Sequence, residues 1–568
     1  MAFQVSPGVQ VKEIDLTNVV PAVSTSIGGF AGAFNWGPVE EVTTVGSEKE
    51  LATVFGTPDT NTASYFLTAA SFLQYGNALK VVRVATTNLN ATATGAGLLV
   101  KNQDHYESGL DFSTEAFVAK FPGILGNSLL VSICPADATV FASWAYKSAF
   151  EAAPGTSDYA ASKSCLRDEV HIAIVDEDGA ITGTAGSVLE TFAYASQASD
   201  AKASDGTSAY YANVVNTSRW VRFGSHYTVL AHAGVSAVNH AADATLAVAG
   251  DFLDGVTAVA ITDSLAGGTD DNAPTAGELM LGFDLFEDAE TVDVNLLFSV
   301  PGADGGDDVT LANDLLTTAL ERKDVVAFIS PPIEDTVGTA TPATDVKAFA
   351  DQLASTSYGV IDSTALKVYD KYNDVYRWIP ACGHIAGLCA NTDNVADAWF
   401  SPAGFTRGQL LGVTKVAFNP THAIRGELYS ARVNPIVAFP GQGIVLYGDK
   451  TAQAKPSAFD RINVRRLFIV LEKAIATAAK YQLFEFNDEF TRAMFRNMVE
   501  PFLRDIKGRR GITDFAVVCD ATNNTGAIID SNQFVADIYI KPARSINFIT
   551  LNFIATRTGV EFSEIVGQ

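Results

Sequence analysis

The sequence predicts a multidomain protein of mixed α/β and α+β architecture, in which one α/β domain is interrupted by an inserted module and the chain closes on a separate α+β domain. Three observations carry this expectation. At 568 residues the chain is too long for one hydrophobic core and divides into roughly three or four domains of ordinary size. Helix-type and strand-type hydrophobic patterns alternate up to about residue 90 and resume near Gly282. The stretch between them is rich in Ala, Ser, Thr, Gly and Asp, with 8 basic against 22 acidic residues. Finally, Pro420 to Gln568 holds 18 Lys+Arg against 15 Asp+Glu, whereas the preceding part holds 20 against 49. Charge segregated in this way suits a subunit with one end against a partner and the rest in water.

The elements follow in chain order. Residues 3 to 11 alternate, with Phe3, Val5, Val9 and Val11 on one side and Pro7 interrupting, which predicts an edge-type strand outside any hairpin. Ala22 to Gly37 is small, apolar and Gly-rich. Tyr65 to Tyr75 predicts an amphipathic helix leading into a buried strand over Leu79 to Val84. The acidic insertion reads as a solvent-facing β-rich module, and Asp176-Glu-Asp178-Gly179 within it as a hairpin turn. Beyond it, Val292 to Val300 and Val325 to Ile329 predict buried strands and Ala343 to Ser355 a helix.

In the final segment, Ser457 is placed to cap a helix running to about Tyr481, with Ile462, Leu467, Leu471, Ile475 and Ala478 at core spacing. Arg461, Arg465 and Arg466 sit in its first turns, where cations oppose the helix dipole. Either a partner's carboxylates compensate them, or they are solvated and paired with Asp460 or Glu472. A second helix begins near Asn487 and ends at Gly508, kinked or divided at Pro501, and strands follow at Phe515 to Cys519 and Val535 to Ile540. Ile546 to Thr556 is eleven residues without a charge, Pro or Gly. Left open, such a strand is an aggregation hazard, so it pairs either within its domain or with another copy.

Composition excludes several classes. With 48% hydrophobic and 18% charged residues the chain is not disordered, and a net charge of −26 makes nucleic acid an unexpected partner. The first residues lack a basic region followed by an apolar one, and no apolar run is long enough to span a bilayer. The five scattered cysteines read as reduced thiols rather than a disulfide frame. Candidate chemistry is sparse. Cys382-Gly-His384 with Cys389 lacks a fourth zinc ligand and reads as a packed core turn. Gly302-Ala-Asp304-Gly-Gly-Asp307-Asp308 clusters carboxylates but fits no EF-hand spacing. No nucleotide-binding or hydrolase motif is present, so no catalytic residue, metal ligand or cofactor is expected.

A set of ordered motifs then becomes informative. Val433-Asn-Pro-Ile436, Gly443 to Thr451, Pro456 to Phe468 and Pro542 to Phe553 closely resemble the C-terminal domain of contractile tail sheath proteins, with the T-even-like phages nearest. Tyr369 to Val375 with Arg377-Trp378, Leu388 to Asn394, Ser401 to Gly404 with Arg407-Gly408, Ser6-Pro-Gly8 and Phe72 to Asn77 look like the same family. The resemblance spans about residues 1 to 90 and 280 to 568 and fades in the insertion.

What it implies is a discontinuous subtilisin-like α/β sheath domain (21–90 and 279–419) carrying an outer module (91–278). An inner α+β domain (420–568) is joined by an N-terminal arm (1–20). The resemblance further implies a structural subunit rather than an enzyme. It would polymerise with itself as stacked, six-fold helical rings around a tail tube protein, with baseplate and tail terminator proteins as further partners. Contraction would drive the tube through the host envelope for genome ejection; the subunit would be assembled in the host cytoplasm and reside in the virion. Under it, Phe3, Val5, Val9, Val11, Ile546, Phe548, Ile549, Leu551 and Phe553 belong to strand arms that join subunits, and Arg461, Arg465 and Arg466 face the tube. The alternatives are a phage-derived contractile device, such as a bacteriocin-like tail or secretion system, and a cytoplasmic α/β hydrolase.

Overall fold

The computed structural model describes residues 24–85, 87–112, 115–225, 251–253, 258–270, 272–302, 307–547 and 550. The chain forms two units, one of Val23–Ala398 with Pro402–Arg465, the other of Met1–Ala22, Trp399–Ser401 and Arg466–Gln568.

The larger unit is built on a sheet that begins with β1 (Gly28–Gly32), β2 (Thr43–Val45) and β3 (Leu79–Arg83). The chain then enters the polar stretch, which supplies β4 (Phe117–Ala119), β5 (Leu129–Pro135), β6 (Glu169–Asp176), β7 (Ser187–Ser196), β8 (Val221–Phe223) and β9 (Ile261–Ser264). It returns to the first sheet through β10 (Leu296–Phe298), β11 (Val326–Ile329), β12 (Gly359–Asp362) and, later, β16 (Val433–Asn434). Between those last two lie β13 (Leu366–Asp370), β14 (Val375–Ile379) and β15 (Val413–Val416), which form a small antiparallel sheet, and after β16 come β17 (Ile436–Phe439) and β18 (Gly443–Leu446), an antiparallel pair.

The main sheet has the order β16-β12-β11-β10-β1-β3-β2. It is parallel except for the β2 edge. β1 therefore pairs with β3 from before the insertion and β10 from after it, so one sheet needs both halves of the sequence. β1 is Gly-Gly-Phe-Ala-Gly because both its faces are packed: a Cβ on Gly28 or Gly29 would come within 2.8 Å of Leu79 or 2.7 Å of Leu297. Helix Ala63–Leu73 lies against helix Cys382–Val395, and there a Cβ on Gly383 would sit 2.3 Å from the Thr68 carbonyl oxygen.

The inserted stretch has its own antiparallel sheet, β7-β6-β5-β9, and a β4-β8 pair. Alternate residues of β5 and β6 feed two clusters: Val131, Ile133, Ile172 and Ile174 on one face, Leu130, Cys134, Ala173 and Val175 on the other. This is the period-two pattern of a sheet covered on both sides. β6 and β7 form the hairpin expected at Asp176–Gly179, through a connection of residues 177–186 in which the Asp176 carboxylate accepts from the Ile181 and Thr182 amides at 3.1 and 2.6 Å. Arg83, at the end of β3, is fully buried and donates to the carbonyls of Phe34, Gly37 and Pro122 at 2.8, 2.9 and 2.7 Å, which ties the insertion to the sheet edge.

The smaller unit contains helix Glu489–Gly508 and the antiparallel hairpin of β19 (Ile512–Val518) and β20 (Asp537–Pro542). The helix starts at Asp488, whose carboxylate caps the Thr491 amide at 2.8 Å, and runs through Pro501 without dividing. Its buried face is Phe495, Met498, Val499, Leu503 and Ile506, packed on β19.

Among the described residues the strand expected over Val292 to Val300 shortens to β10. The strands expected at Phe515 and Val535 begin at Ile512 and Asp537. The acidic turn at Gly302 continues as helix Asp307–Arg322, in which Asp308 is buried. Burial and the neighbouring Glu334 push the Asp308 carboxyl up to about 7.

Candidate functional site

The helix expected from Ser457 starts five residues later, at Ile462. Ser457 Oγ instead accepts from the Phe459 amide at 3.0 Å, closing a local turn. The chain then bridges Arg461 to Lys450, and the Ile462 amide donates to the Asp449 carbonyl at 2.8 Å. A backbone acceptor thus takes the place of the expected capping box. The core spacing of the helix is realised: Ile462, Leu467, Leu471, Ile475 and Ala478 are all buried.

This later start changes the meaning of the three arginines. Arg461 is half-buried, bonded to the Tyr429 hydroxyl and to Asp449 at 3.3 Å, with Asp460 at 3.8 Å. Arg465 is buried, its guanidinium stacked 4.2 Å from the Tyr358 ring centre and 4.1 Å from that of Phe459, and it donates to the Tyr358 hydroxyl at 3.2 Å. Arg466 is buried too. Arg465 and Arg466 are therefore buried in this chain, whereas the sequence reading placed all three arginines toward a tube. Their long side chains are consumed by packing, which helical position alone does not reveal.

Of the proposed strand arms, Phe3, Val5, Val9, Val11, Phe548, Ile549, Leu551 and Phe553 lie outside the described residues. Ile546 is described; it is 82% exposed and not in a strand. Among the described residues each of β19 and β20 has the other as its one strand neighbour, so each has an outer edge with no strand beside it.

The Cys/His cluster is a packed core helix, not a turn. Cys382, His384 and Cys389 are all buried in Cys382–Val395. The Tyr75 hydroxyl accepts from the Leu411 amide at 2.6 Å and stands 3.1 Å from His384 Nδ1, and burial pushes the imidazole down to about 3, so it is neutral. No group of three or more His, Cys, Asp or Glu side chains among the described residues is placed to hold a metal. At the carboxyl ends of β11 and β12, Ser330 donates to the buried Asp362 carboxylate and accepts from the Cys382 amide at 2.9 Å. This polar knot ties strand to helix and contains no histidine.

One surface was not anticipated. From the end of helix Ile462–Ala479 to the first turn of helix Glu489–Gly508, the side chains of Tyr481, Leu483, Phe484, Phe486 and Phe490 all project into solvent, and the least exposed of them, Leu483, is 63% exposed. Phe484 holds φ +70°, a region that aromatic residues rarely occupy. The sequence signal was available: Leu483-Phe484 and Phe486 fall where the helical spacing of core residues has ended. Together these features describe an exposed aromatic surface, and no metal-holding group among the described residues.

Comparison with known proteins shows the family. Residues 25–84 match the family described as tail sheath protein Gp18 domain III N-terminal region, 272–452 the phage tail sheath protein central domain, and 454–556 the phage tail sheath C-terminal domain. The tail sheath protein of Vibrio phage KVP40 is 35% identical, and that of Enterobacteria phage T4 34% identical, each over 99% of both chains. The chain belongs to the tail sheath protein family. This sheath protein is a subunit of a contractile phage tail, and its family is a structural one. Its fold is similar to that of a sheath tail protein from Listeria innocua, with TM-score 0.54, 12% identity and coverage of 92% of this chain and 93% of that one. It is also similar to the sheath of an extracellular contractile injection system in its contracted state, with TM-score 0.51, 13% identity and coverage of 98% and 99%.

Proposed function

We propose that this sheath protein polymerises as stacked, six-fold helical rings around a tail tube and, on a signal from the baseplate, repacks into a shorter state that drives the tube through the host envelope for genome ejection. The observation that carries this reading is the end-to-end match to the sheath proteins of T4 and its relatives. The work is mechanical: subunits held in a less favourable packing release a few kcal/mol each when they shift together. No enzyme activity, cofactor or nucleic acid enters the mechanism.

In this reading the interrupted parallel sheet is a discontinuous subtilisin-like domain, and 91–278 is an outer module inserted into it. Residues 420–568 form the inner domain, with 1–20 as an arm. The edges of β19 and β20 suit strand addition by the terminal arms of neighbouring copies, with Phe3, Val5, Val9 and Val11 in one arm and Ile546, Phe548, Ile549, Leu551 and Phe553 in the other. Tube, baseplate and tail terminator proteins are the further partners. The subunit assembles in the host cytoplasm and ends in the virion. Phage relatives at 34 to 35% identity favour a phage tail over a phage-derived device, since the injection-system likeness extends to fold alone.

Deleting Met1 to Asp15 tests the arm. The truncated subunit is expected to fold, by circular dichroism, yet to form no striated tubes by negative-stain electron microscopy. Tubes indistinguishable from those of the full chain would count decisively against the arm.

A further inference from the structure

We propose that the exposed aromatic tip at Tyr481–Phe490 docks on the basic base of the same unit in a neighbouring copy, giving a head-to-tail contact between subunits. This inference rests on the reading that the subunits polymerise. The tip combines five exposed apolar side chains with Glu485, Asp488 and Glu489, and no cation lies between Lys480 and Arg492. An apolar patch of this size, rimmed by one sign of charge, marks a partner surface. Phe484 adds a second observation: its left-handed backbone holds an aromatic ring out in water, a strained arrangement that folding of the subunit alone gives no reason to keep.

The occupant follows from charge. Helix Glu489–Gly508 begins at the tip and, at 20 residues, is about 30 Å long. At its far end the Ala543 amide donates to the Gly511 carbonyl at 3.1 Å, bringing the end of β20 beside the end of the helix. Arg504, Lys507, Arg509, Arg510, Lys541 and Arg544 gather there, all exposed. Among the described residues their carboxylate neighbours are fewer: Glu500, Asp505 and Asp514 lie 3.9, 3.7 and 3.1 Å from Arg504, Arg509 and Lys507, and the Arg509 guanidinium also stands 5.1 Å from the Trp399 ring centre. The base is therefore net positive, and exposed Tyr539 and Ile546 give it apolar surface as well. Guanidinium groups stack on aromatic faces and pair with carboxylates, so the base offers what the tip lacks. The two patches sit at opposite ends of one helix and cannot meet within a copy. Joining them between copies is a heterologous contact, the kind that generates rings and helical filaments.

The test uses the full chain with two charge-reversed variants, Glu485→Arg with Glu489→Arg at the tip and Arg510→Glu with Arg544→Glu at the base. Asp488 is left intact because it caps the helix. Circular dichroism establishes that each variant is folded, and sedimentation with electron microscopy measures polymer. Each variant alone is expected to need a concentration about tenfold or more above that of the unaltered protein to form tubes, because like charges then meet at every contact. An equimolar mixture is expected to polymerise again, since a reversed tip meets a reversed base and each unaltered tip meets an unaltered base. Failure of the mixture to recover overturns the contact. So does a tip variant that polymerises normally, including one that does so but no longer retains the tube protein, which would assign the tip to the tube. If the unaltered protein forms no polymer, the proposed polymerisation on which the contact rests fails, a result distinguishable from both.

Discussion

Asp362 ends β12 with its carboxyl wholly inside the protein, where it accepts from the Ser330 hydroxyl and, at 3.3 Å, from the Thr364 amide. Burial pushes it up from its ordinary 3.8 to about 7, and the two hydrogen bonds offset that only in part. A carboxyl raised on folding binds its proton more tightly in the native state. Its contribution to stability is therefore fully present below the unfolded value near 4 and is lost as pH rises through 7. A rise of about three units corresponds to ~4 kcal/mol in full, of which ~3 kcal/mol is lost between pH 5 and pH 8. Asp362→Asn keeps an oxygen for Ser330 and Thr364 and cannot ionise. Denaturant unfolding of dilute subunit at pH 5, 6, 7 and 8 is expected to show the native protein weakening relative to the variant by about that amount. Other carboxyls, Asp308 among them, titrate in both proteins and cancel in the difference. Parallel stability curves for the two proteins across that range would refute the assignment of a buried, protonated Asp362.

Two further outcomes follow from packing. Gly383→Ala places a methyl 2.3 Å from the Thr68 carbonyl oxygen, backbone that cannot swing aside, so the two helices must separate. A loss of about 1 to 3 kcal/mol in denaturant unfolding is expected, and a neutral result would contradict the observed approach. Arg465→Glu with Arg466→Glu buries two carboxylates where two guanidinium groups sat. It is expected to lower the yield and melting temperature of the subunit by an amount largely insensitive to salt. A stable double variant whose tube binding alone weakens, and does so in proportion to ionic strength, would restore the surface role that their burial argues against.

The mixed α/β character, the existence of most elements and the family are legible in the chain alone, because strand and helix periodicities are local and the ordered motifs survive as residue strings. The spacing of Ile462, Leu467 and Leu471 predicted a buried helical face, and that face is buried. What the sequence could not decide were matters of which distant group satisfies which. Ser457 looked like a cap, but the Asp449 carbonyl, brought back beside Ile462 by the Lys450–Arg461 bridge, receives the first helical amide and moves the start to Ile462. That shift, with Tyr358 arriving from another element, turned Arg465 from a surface cation into a buried one. The aromatic run at Tyr481–Phe490 lies beyond the core spacing of the helix before it, and the fold leaves its rings in water. Sequence sets what each residue prefers over a few turns of chain. Tertiary structure sets which of those preferences are met inside the subunit and which are left for a neighbour.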